Sequence, residues 1–233
     1  MAKVLSAPKG EALYPRLGSP DTKFDADGTY HVKMKYDTDN EQIAAFTKQI
    51  DVWYDEAIAE AIAKVQADHK EKTGNDMSDK VAAKKVKLAD KPYSFIEDDE
   101  GEDTNFIVIN FKMKAKAKNR KTGEEFELKP AIFGAGRDAL EGKQIPSIYS
   151  GSVLKVGYTP QKWFTSQLGA SVRLRLEAVK IIDLVSSAKG NADNYDFGDD
   201  DEGYVPPTGD AAAAFAGDDD TPAKGDDDGT GDF

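Results

Sequence analysis

The chain has 233 residues, a formal net charge of −12 and no cysteine, which excludes disulfide bonds and thiolate metal sites and fits a reducing compartment. No apolar run reaches the length of a membrane span, and the N-terminus lacks the long apolar core of a secretion signal. We therefore expect a soluble cytoplasmic protein without membrane contact.

The first part of the chain predicts one strand and one long helix. Residues up to about 19 are interrupted by Pro and Gly and show no clear period, so no element is predicted there. Residues 24–36 indicate a turn followed by a strand. Between residues 41 and 73, apolar side chains recur every three or four positions, which predicts a helix that ends at Gly74 and packs onto a sheet. A short basic helix or loop follows, up to Pro92.

From residue 92 to residue 185 the pattern predicts strands with no helix between them. The strand-like stretches are 104–119, 121–133, 150–160 and 171–185. Closely spaced strands separated by turns favour an antiparallel barrel or sandwich, and a barrel also removes exposed strand edges. We predict a mainly β fold class with one long helix.

Lysine alternates with other residues along the segment 111–118. Because successive side chains of a strand point to opposite faces, Lys112, Lys114, Lys116 and Lys118 are expected to share one face. A solvated lysine edge and a ladder of cations for phosphates are both compatible with this segment taken alone.

A second segment, 154–176, combines cations with aromatic residues: Lys155, Lys162, Arg173 and Arg175 with Tyr158, Trp163 and Phe164. Exposed rings beside cations suit single-stranded nucleic acid, because bases stack on the rings and cations follow the backbone. Adjacent Trp163 and Phe164, in a segment with turn character around Pro160, cannot both face the core, and the pattern leaves open which one is exposed. Closure of a barrel end by Trp163 is the competing role. Arg173 and Arg175 share a face, so either both or neither reach the site.

Signatures of catalysis are missing from the sequence. There is no phosphate-binding loop, Gly134-Ala-Gly136 lacks the third glycine of a dinucleotide site, and no His, Asp or Glu cluster has metal-ligand spacing. We expect a non-enzymatic binding protein without cofactor or metal. A nucleic-acid hydrolase is the competing class, which magnesium-dependent cleavage would reveal.

The end of the chain is strongly acidic. Residues 190–233 contain fourteen Asp and Glu and one Lys, a net charge of −13, so residues 1–189 carry +1. This composition predicts a folded domain at 1–189 and a disordered tail at 190–233. Solvation does not explain a final phenylalanine, so we predict that the tail end binds a partner through Asp226, Asp227, Asp228, Asp232 and Phe233. An acidic-tailed DNA mimic or chaperone-type interaction protein is the alternative.

Four stretches and the tail together resemble the replicative single-stranded-DNA-binding proteins of short-tailed bacteriophages. The stretches are GTYHVKM, KPY, NFKMK with the KTGEE turn, and LKVGYTPQKWFTSQLGASVRLRLE. The resemblance implies an OB-fold antiparallel barrel with a long helix inserted between strands. It also implies binding and annealing of single strands during DNA replication, recombination and repair, in the cytoplasm of the infected bacterial host.

The resemblance further implies a site and partners. It assigns DNA contacts to Lys112, Lys114, Lys155, Tyr158, Lys162 and Trp163, and it assigns the tail to phage DNA polymerase and helicase–primase. A tail that lies across its own groove, or across that of a neighbour in a homodimer with exchanged tails, would be displaced by DNA. The complete candidate DNA-binding set is Lys112, Lys114, Lys116, Lys155, Tyr158, Lys162, Trp163, Phe164, Arg173 and Arg175.

Overall fold

The computed structural model describes residues 3–119 and 121–185. The strands are β1 (Leu5–Ser6), β2 (Gly10–Asp21), β3 (Thr29–Asp37), β4 (Tyr93–Glu97), β5 (Asp103–Lys114), β6 (Lys116–Lys118), β7 (Glu125–Glu127), β8 (Ala131–Phe133), β9 (Val153–Thr165) and β10 (Gly169–Asp183). The helices are α1 (Glu41–Thr73), α2 (Asp79–Ala83) and a 3-10 turn at Gly142–Gln144. The predicted tail and its boundary at residue 190 lie outside the described residues and stay predictions.

Five of the strands close into a barrel. Their pairing runs β9, β2, β3, β5, β10 and back to β9. Every junction in this ring is antiparallel except β5 with β10, which run parallel. Closure pairs the edges that five separate strands would expose. The predicted class, a mainly β barrel with one long helix, is confirmed.

The barrel core is formed by alternate residues of the closing strands. On β3 the inward side chains are Tyr30, Val32, Met34 and Tyr36, and on β5 they include the fully buried Phe111. This period of two leaves the intervening residues on the outer surface, and it therefore fixes which side chains can form a site there.

Helix α1 covers one side of the barrel. It begins after Asn40, whose side chain accepts a hydrogen bond from the Gln42 N–H, and ends at Gly74, which adopts a left-handed φ of 70°. Its buried face includes Ile43, Phe46 and Ile50, which pack into the same core as the barrel strands. The predicted helix and its end at Gly74 are confirmed.

Several segments differ from the sequence-based expectation. The predicted strand 104–119 is divided at Ala115 into β5 and β6, and the predicted strand 121–133 is divided into β7 and β8. Residues 10–21, where no element was predicted, form β2. An irregularity between Leu13 and Arg16 interrupts the alternation of this strand, so the buried Ala12 and Leu17 are five positions apart instead of an even number. The turn expected around Pro160 is also absent, since β9 continues through Pro160 to Thr165 and pairs with β10 along this length.

Candidate nucleic-acid interface

A groove of about 820 Å³ runs across the outer surface of β5 and β10. We call it the basic groove. Its described lining contains seven cations and three carboxylates, so it carries a net positive charge. The cations are Lys91, Lys112, Lys114, Lys116, Lys118, Arg173 and Arg175, and the carboxylates are those of Asp27, Asp90 and Glu125. A surface with this excess of cations can hold a chain of phosphates.

The lysines of β5 and β6 form one wall of the basic groove. Lys112 and Lys114 are exposed on the face opposite the buried Phe111 and Met113, as the alternation predicts. Lys116 belongs to the separate strand β6 yet lines the same groove. Lys114 Nζ lies 3.7 Å from the Asp25 carboxylate, and both side chains are solvated. Such an ion pair is weak, so it does not cancel the positive charge of this wall.

The arginines of β10 form the facing part of the groove. Arg175 lies opposite Lys112 in the parallel pairing of β10 with β5. Its Nη1 is 3.2 Å from Glu177 Oε1, and Arg173 donates through Nε to Gln161 Oε1 at 3.0 Å. The sequence left open whether both arginines or neither reach the site. Both line the basic groove.

Trp163 and Phe164 lie on opposite faces of β9. Trp163 is half-buried in the lining of the basic groove. Phe164 packs on the other face against Ala61 of α1 and Val86. Trp163 is therefore the groove aromatic, and the assignment of Phe164 to the DNA surface is corrected because the strand turns its ring toward the helix.

Tyr158 is a core residue, which corrects its assignment as a DNA contact. Its side chain is 3% exposed, and its ring centroid lies 5.5 Å from that of Phe111 and 5.6 Å from that of Phe46. Burial raises the pKa of Tyr158 to about 12, so the hydroxyl stays neutral. The ring cannot stack on a base unless α1 leaves the barrel.

Lys162 and Lys155 lie away from the basic groove. The Lys162 ammonium is 3.1 Å from Glu56 Oε2 and also pairs with Glu60, both on α1. Both hydrogen bonds raise the pKa of Lys162, and the one to Glu60 has the larger effect. Lys155 is exposed opposite Lys180, eight residues before Trp163 along β9. Neither residue lines the basic groove with Trp163, and their contact with DNA stays a prediction.

Among the groove residues that were not candidates from the sequence, three have polar side chains that bear on the site, namely Lys91, Gln161 and Asn110. Lys91 donates to Asp51 Oδ1 at 2.7 Å, and this hydrogen bond is the main reason why the pKa of Lys91 is raised. Gln161 orients Arg173. Asn110 contributes a buried Oδ1 without a hydrogen-bond partner among the described residues. All three lie in the stretches quoted for the resemblance, in KPY, LKVGYTPQKWFTSQLGASVRLRLE and NFKMK respectively, but no pattern in the sequence singled them out as contacts.

The described part of the chain comprises residues 3–119 and 121–185. This part of the chain contains no group of three His, Asp or Glu side chains that could hold a metal ion. None of its helices is long and apolar enough to cross a membrane. The predicted partner-binding residues Asp226, Asp227, Asp228, Asp232 and Phe233 lie outside the described residues.

Known proteins are similar to this chain in sequence and in fold. Residues 9–184 match the family described as the single-stranded DNA-binding protein of bacteriophage T7. The chain is 26% identical over 180 residues to the single-stranded DNA-binding protein of Enterobacteria phage T3, covering 76% of this chain and 72% of the relative. It is 28% identical over 184 residues to that of Escherichia phage T7, covering 76% and 71%.

The fold is also similar to a solved structure. The crystal structure of gp2.5, a single-stranded DNA-binding protein encoded by bacteriophage T7, matches with a TM-score of 0.63 and 23% identity, covering 88% of this chain and 99% of that chain. This match supports the OB-like barrel described above. The family match spans most of the chain, so this protein belongs to the family of the bacteriophage T7 single-stranded DNA-binding protein.

Proposed function

We propose that this chain is a phage protein that binds single-stranded DNA without catalysing a reaction on it. The observation that carries the proposal is the basic groove, where the ladder of Lys112 and Lys114 faces Arg173 and Arg175 beside the ring of Trp163. Cations that follow a backbone and a ring that stacks on bases are the two components of binding that tolerates any sequence. The names of the phage relatives support the same ligand.

The roles of the bound complex follow from this activity. Coating a single strand protects it and keeps it available for annealing, so we place the protein in phage DNA replication, recombination and repair, in the cytoplasm of the infected host. We assign to residues 190–233 the recruitment of the phage polymerase and the helicase–primase. These assignments agree with the resemblance and with the acidic composition of that segment.

We further propose that residues 190–233 compete with DNA for the basic groove. Their net charge of −13 is opposite in sign to that of the groove. The disordered segment that the composition predicts, 44 residues long, would have an end-to-end distance on the order of 35–40 Å, enough to cross its own groove or that of a neighbouring molecule. A homodimer with exchanged tails is the second of these arrangements.

The test compares the full chain with a chain that ends at Lys189. Both are titrated with poly-dT and with a duplex of the same length. We expect the full chain to prefer the single strand and the truncated chain to bind it more tightly. If the truncated chain bound no single strand, the groove proposal would be wrong, and a DNA mimic whose active part is the acidic segment would be favoured. Cleavage of either substrate with magnesium would contradict the non-catalytic assignment.

A further inference from the structure

Tyr14 has an unusual backbone conformation on the outer surface of β2. Its φ of 49° lies in the left-handed region, and it is the one described non-glycine residue with a positive φ. The register of β2 with β3 passes from Leu13 opposite Lys33 to Arg16 opposite His31, so β2 contains one extra residue at this point. Such a bulge re-aims a side chain, and here it leaves the Tyr14 ring 71% exposed.

The loop before β9 holds this bulge in place. The Tyr14 N–H donates to Ser150 Oγ at 2.9 Å, and the Gly151 N–H donates to the Ala12 carbonyl at 2.9 Å. The Ala12 N–H returns a hydrogen bond of 2.8 Å to the Ser152 carbonyl. A left-handed φ at a bulky residue is unfavourable and persists where surrounding contacts fix it, as these three hydrogen bonds do.

The bulge and the loop form the two walls of a second groove, of about 600 Å³. We call it the tyrosine groove. Its lining includes Tyr14, Arg16, Tyr149, Ile145 and Ile148, and it contains no carboxylate among the described residues. Two aromatic side chains with a cation, in a concave surface without opposing charge, are the chemical features that suit a single strand.

One row of side chains connects the two grooves. Across neighbouring strands, Arg16 is opposite His31, His31 is opposite Lys112, and Lys112 is opposite Arg175. Directly opposite residues share a face of the sheet, and neighbouring strands are about 4.8 Å apart, so Arg16 of the tyrosine groove lies about 10 Å from Lys112 of the basic groove. The four residues of this row include no carboxylate, so a strand that leaves the basic groove over His31 reaches Arg16, with Asp21 as the acidic group that acts on His31.

We propose that the tyrosine groove is a second subsite for single-stranded DNA, which extends the path of a strand bound in the basic groove. Tyr14 stacks on a base, and Arg16 contacts a phosphate of the same segment. The proposal rests on the proposed function, because it needs a strand in the basic groove. A purely structural bulge would be served better by glycine, which adopts positive φ without steric strain, whereas an exposed ring adds little to the fold.

The experiment uses the full chain and labelled dT oligonucleotides of two lengths, since OB folds occupy about 4–16 nucleotides. One oligonucleotide has about 5 nucleotides, enough for the basic groove, and the other has about 16, enough for both grooves. The variants are Tyr14→Gly, which removes the ring and suits the backbone, Tyr14→Phe, which keeps the ring, and Arg16→Ala. Fluorescence anisotropy gives each affinity, and a thermal melt checks the fold.

We expect Tyr14→Gly to weaken binding of the long oligonucleotide at least about five-fold, leaving the short one and the melting temperature unchanged. Tyr14→Phe should bind both like the unmodified chain. Arg16→Ala should reduce the salt slope by about 0.7 for the long oligonucleotide only. If Tyr14→Gly bound the long oligonucleotide normally, or weakened both lengths equally, the second subsite would be wrong while the proposed function stood. If the unmodified chain bound neither length, the proposed function itself would fail.

Discussion

Arg175 lies opposite Lys112 on the adjacent parallel strand, although 63 residues separate the two along the chain. This pairing occurs at the parallel junction that closes the barrel, and it places two cations side by side in the basic groove. Neighbouring like charges repel each other, and Glu177 offsets the charge of Arg175 only in part, so a bound polyanion would stabilise the arrangement further. The expected properties of the groove follow from this relationship.

Binding of single strands should weaken steeply with salt, because each neutralised phosphate releases counterions. On single strands the log–log slope changes by about 0.7 for each contact, so replacing Lys112 and Lys114 together by Ala should reduce the slope by about 1.4. Titrations at several salt concentrations measure this. Lys162→Ala is the matched control, since its ammonium is held by Glu56 and Glu60 on the helix side. An equal change in the control would show that the slope reports net charge rather than the groove.

Trp163 and Phe164 should give opposite phenotypes. Trp163→Ala is expected to weaken binding by about 1–3 kcal/mol, the usual contribution of base stacking, with little change in melting temperature. Phe164→Ala is expected to lower the free energy of unfolding by at most about 3 kcal/mol, because its ring packs against Ala61 and Val86. Its affinity for single strands should be unchanged. A titration and a thermal melt on both variants decide the matter. Loss of the fold in Trp163→Ala would mean that this ring closes the barrel end.

Tyr158 should matter for stability and not for DNA contact. Its ring lies among Phe46, Trp53 and Phe111, so Tyr158→Ala is expected to lower the free energy of unfolding by about 3–5 kcal/mol. Denaturant unfolding measures this change. Tyr158→Phe keeps the packed ring and should bind strands with unchanged affinity. Loss of affinity in a folded Tyr158→Phe protein would contradict the core assignment.

The pH dependence of binding should come in part from His31. Burial lowers the pKa of His31 below its ordinary 6.5, Lys112 and Arg16 lower it further, and Asp21 opposes them. Phosphates bound along this row favour the imidazolium, so affinity should rise as the pH falls toward the lowered pKa of His31, with uptake of a proton. His31→Gln should remove this rise, and titrations across the pH range test it. An unchanged pH profile in His31→Gln would exclude the role.

The same shift gives a stability effect of opposite sign for the free protein. A folded-state pKa below the unfolded value means that the unfolded chain binds more protons in the window between the two. The contribution of His31 to stability is therefore complete above pH 6.5 and decreases as the pH falls from 6.5 toward the lowered pKa. Unfolding of His31→Gln should show a flatter pH dependence in this window.

Phe233 should separate the two roles that we propose for the acidic segment. Competition with DNA depends on the net charge of −13, whereas docking to a partner gains roughly 1.5–3 kcal/mol from burying an aromatic side chain. Deleting Phe233 alone should leave strand affinity nearly unchanged and weaken capture of the replication polymerase at least several-fold. Deleting residues 190–233 should tighten DNA binding and abolish capture. Equal effects of both deletions on DNA affinity would instead place Phe233 in the DNA groove.

The sequence by itself determined the long helix and the face of the lysine strand, because both depend only on local periodicity. The period of three to four residues identified α1 and its end at Gly74, and the period of two placed Lys112 and Lys114 opposite Phe111. These predictions succeeded because the geometry of one helix or one strand fixes them without any other element. The strand β2 was missed because the bulge at Tyr14 interrupts the period on which recognition of a strand depends.

Only the tertiary structure decided which face of β9 forms the site. Alternation divides the strand into one set with Tyr158, Lys162 and Phe164 and another with Gln161 and Trp163, and both contain the aromatic and polar residues of a DNA surface. Helix α1 covers the first set, so Tyr158 becomes core and Lys162 pairs with helix carboxylates. The alternation along a strand determines which side chains share a face. Which of the two faces is exposed to solvent depends on where α1 packs, and α1 is distant from β9 in the sequence.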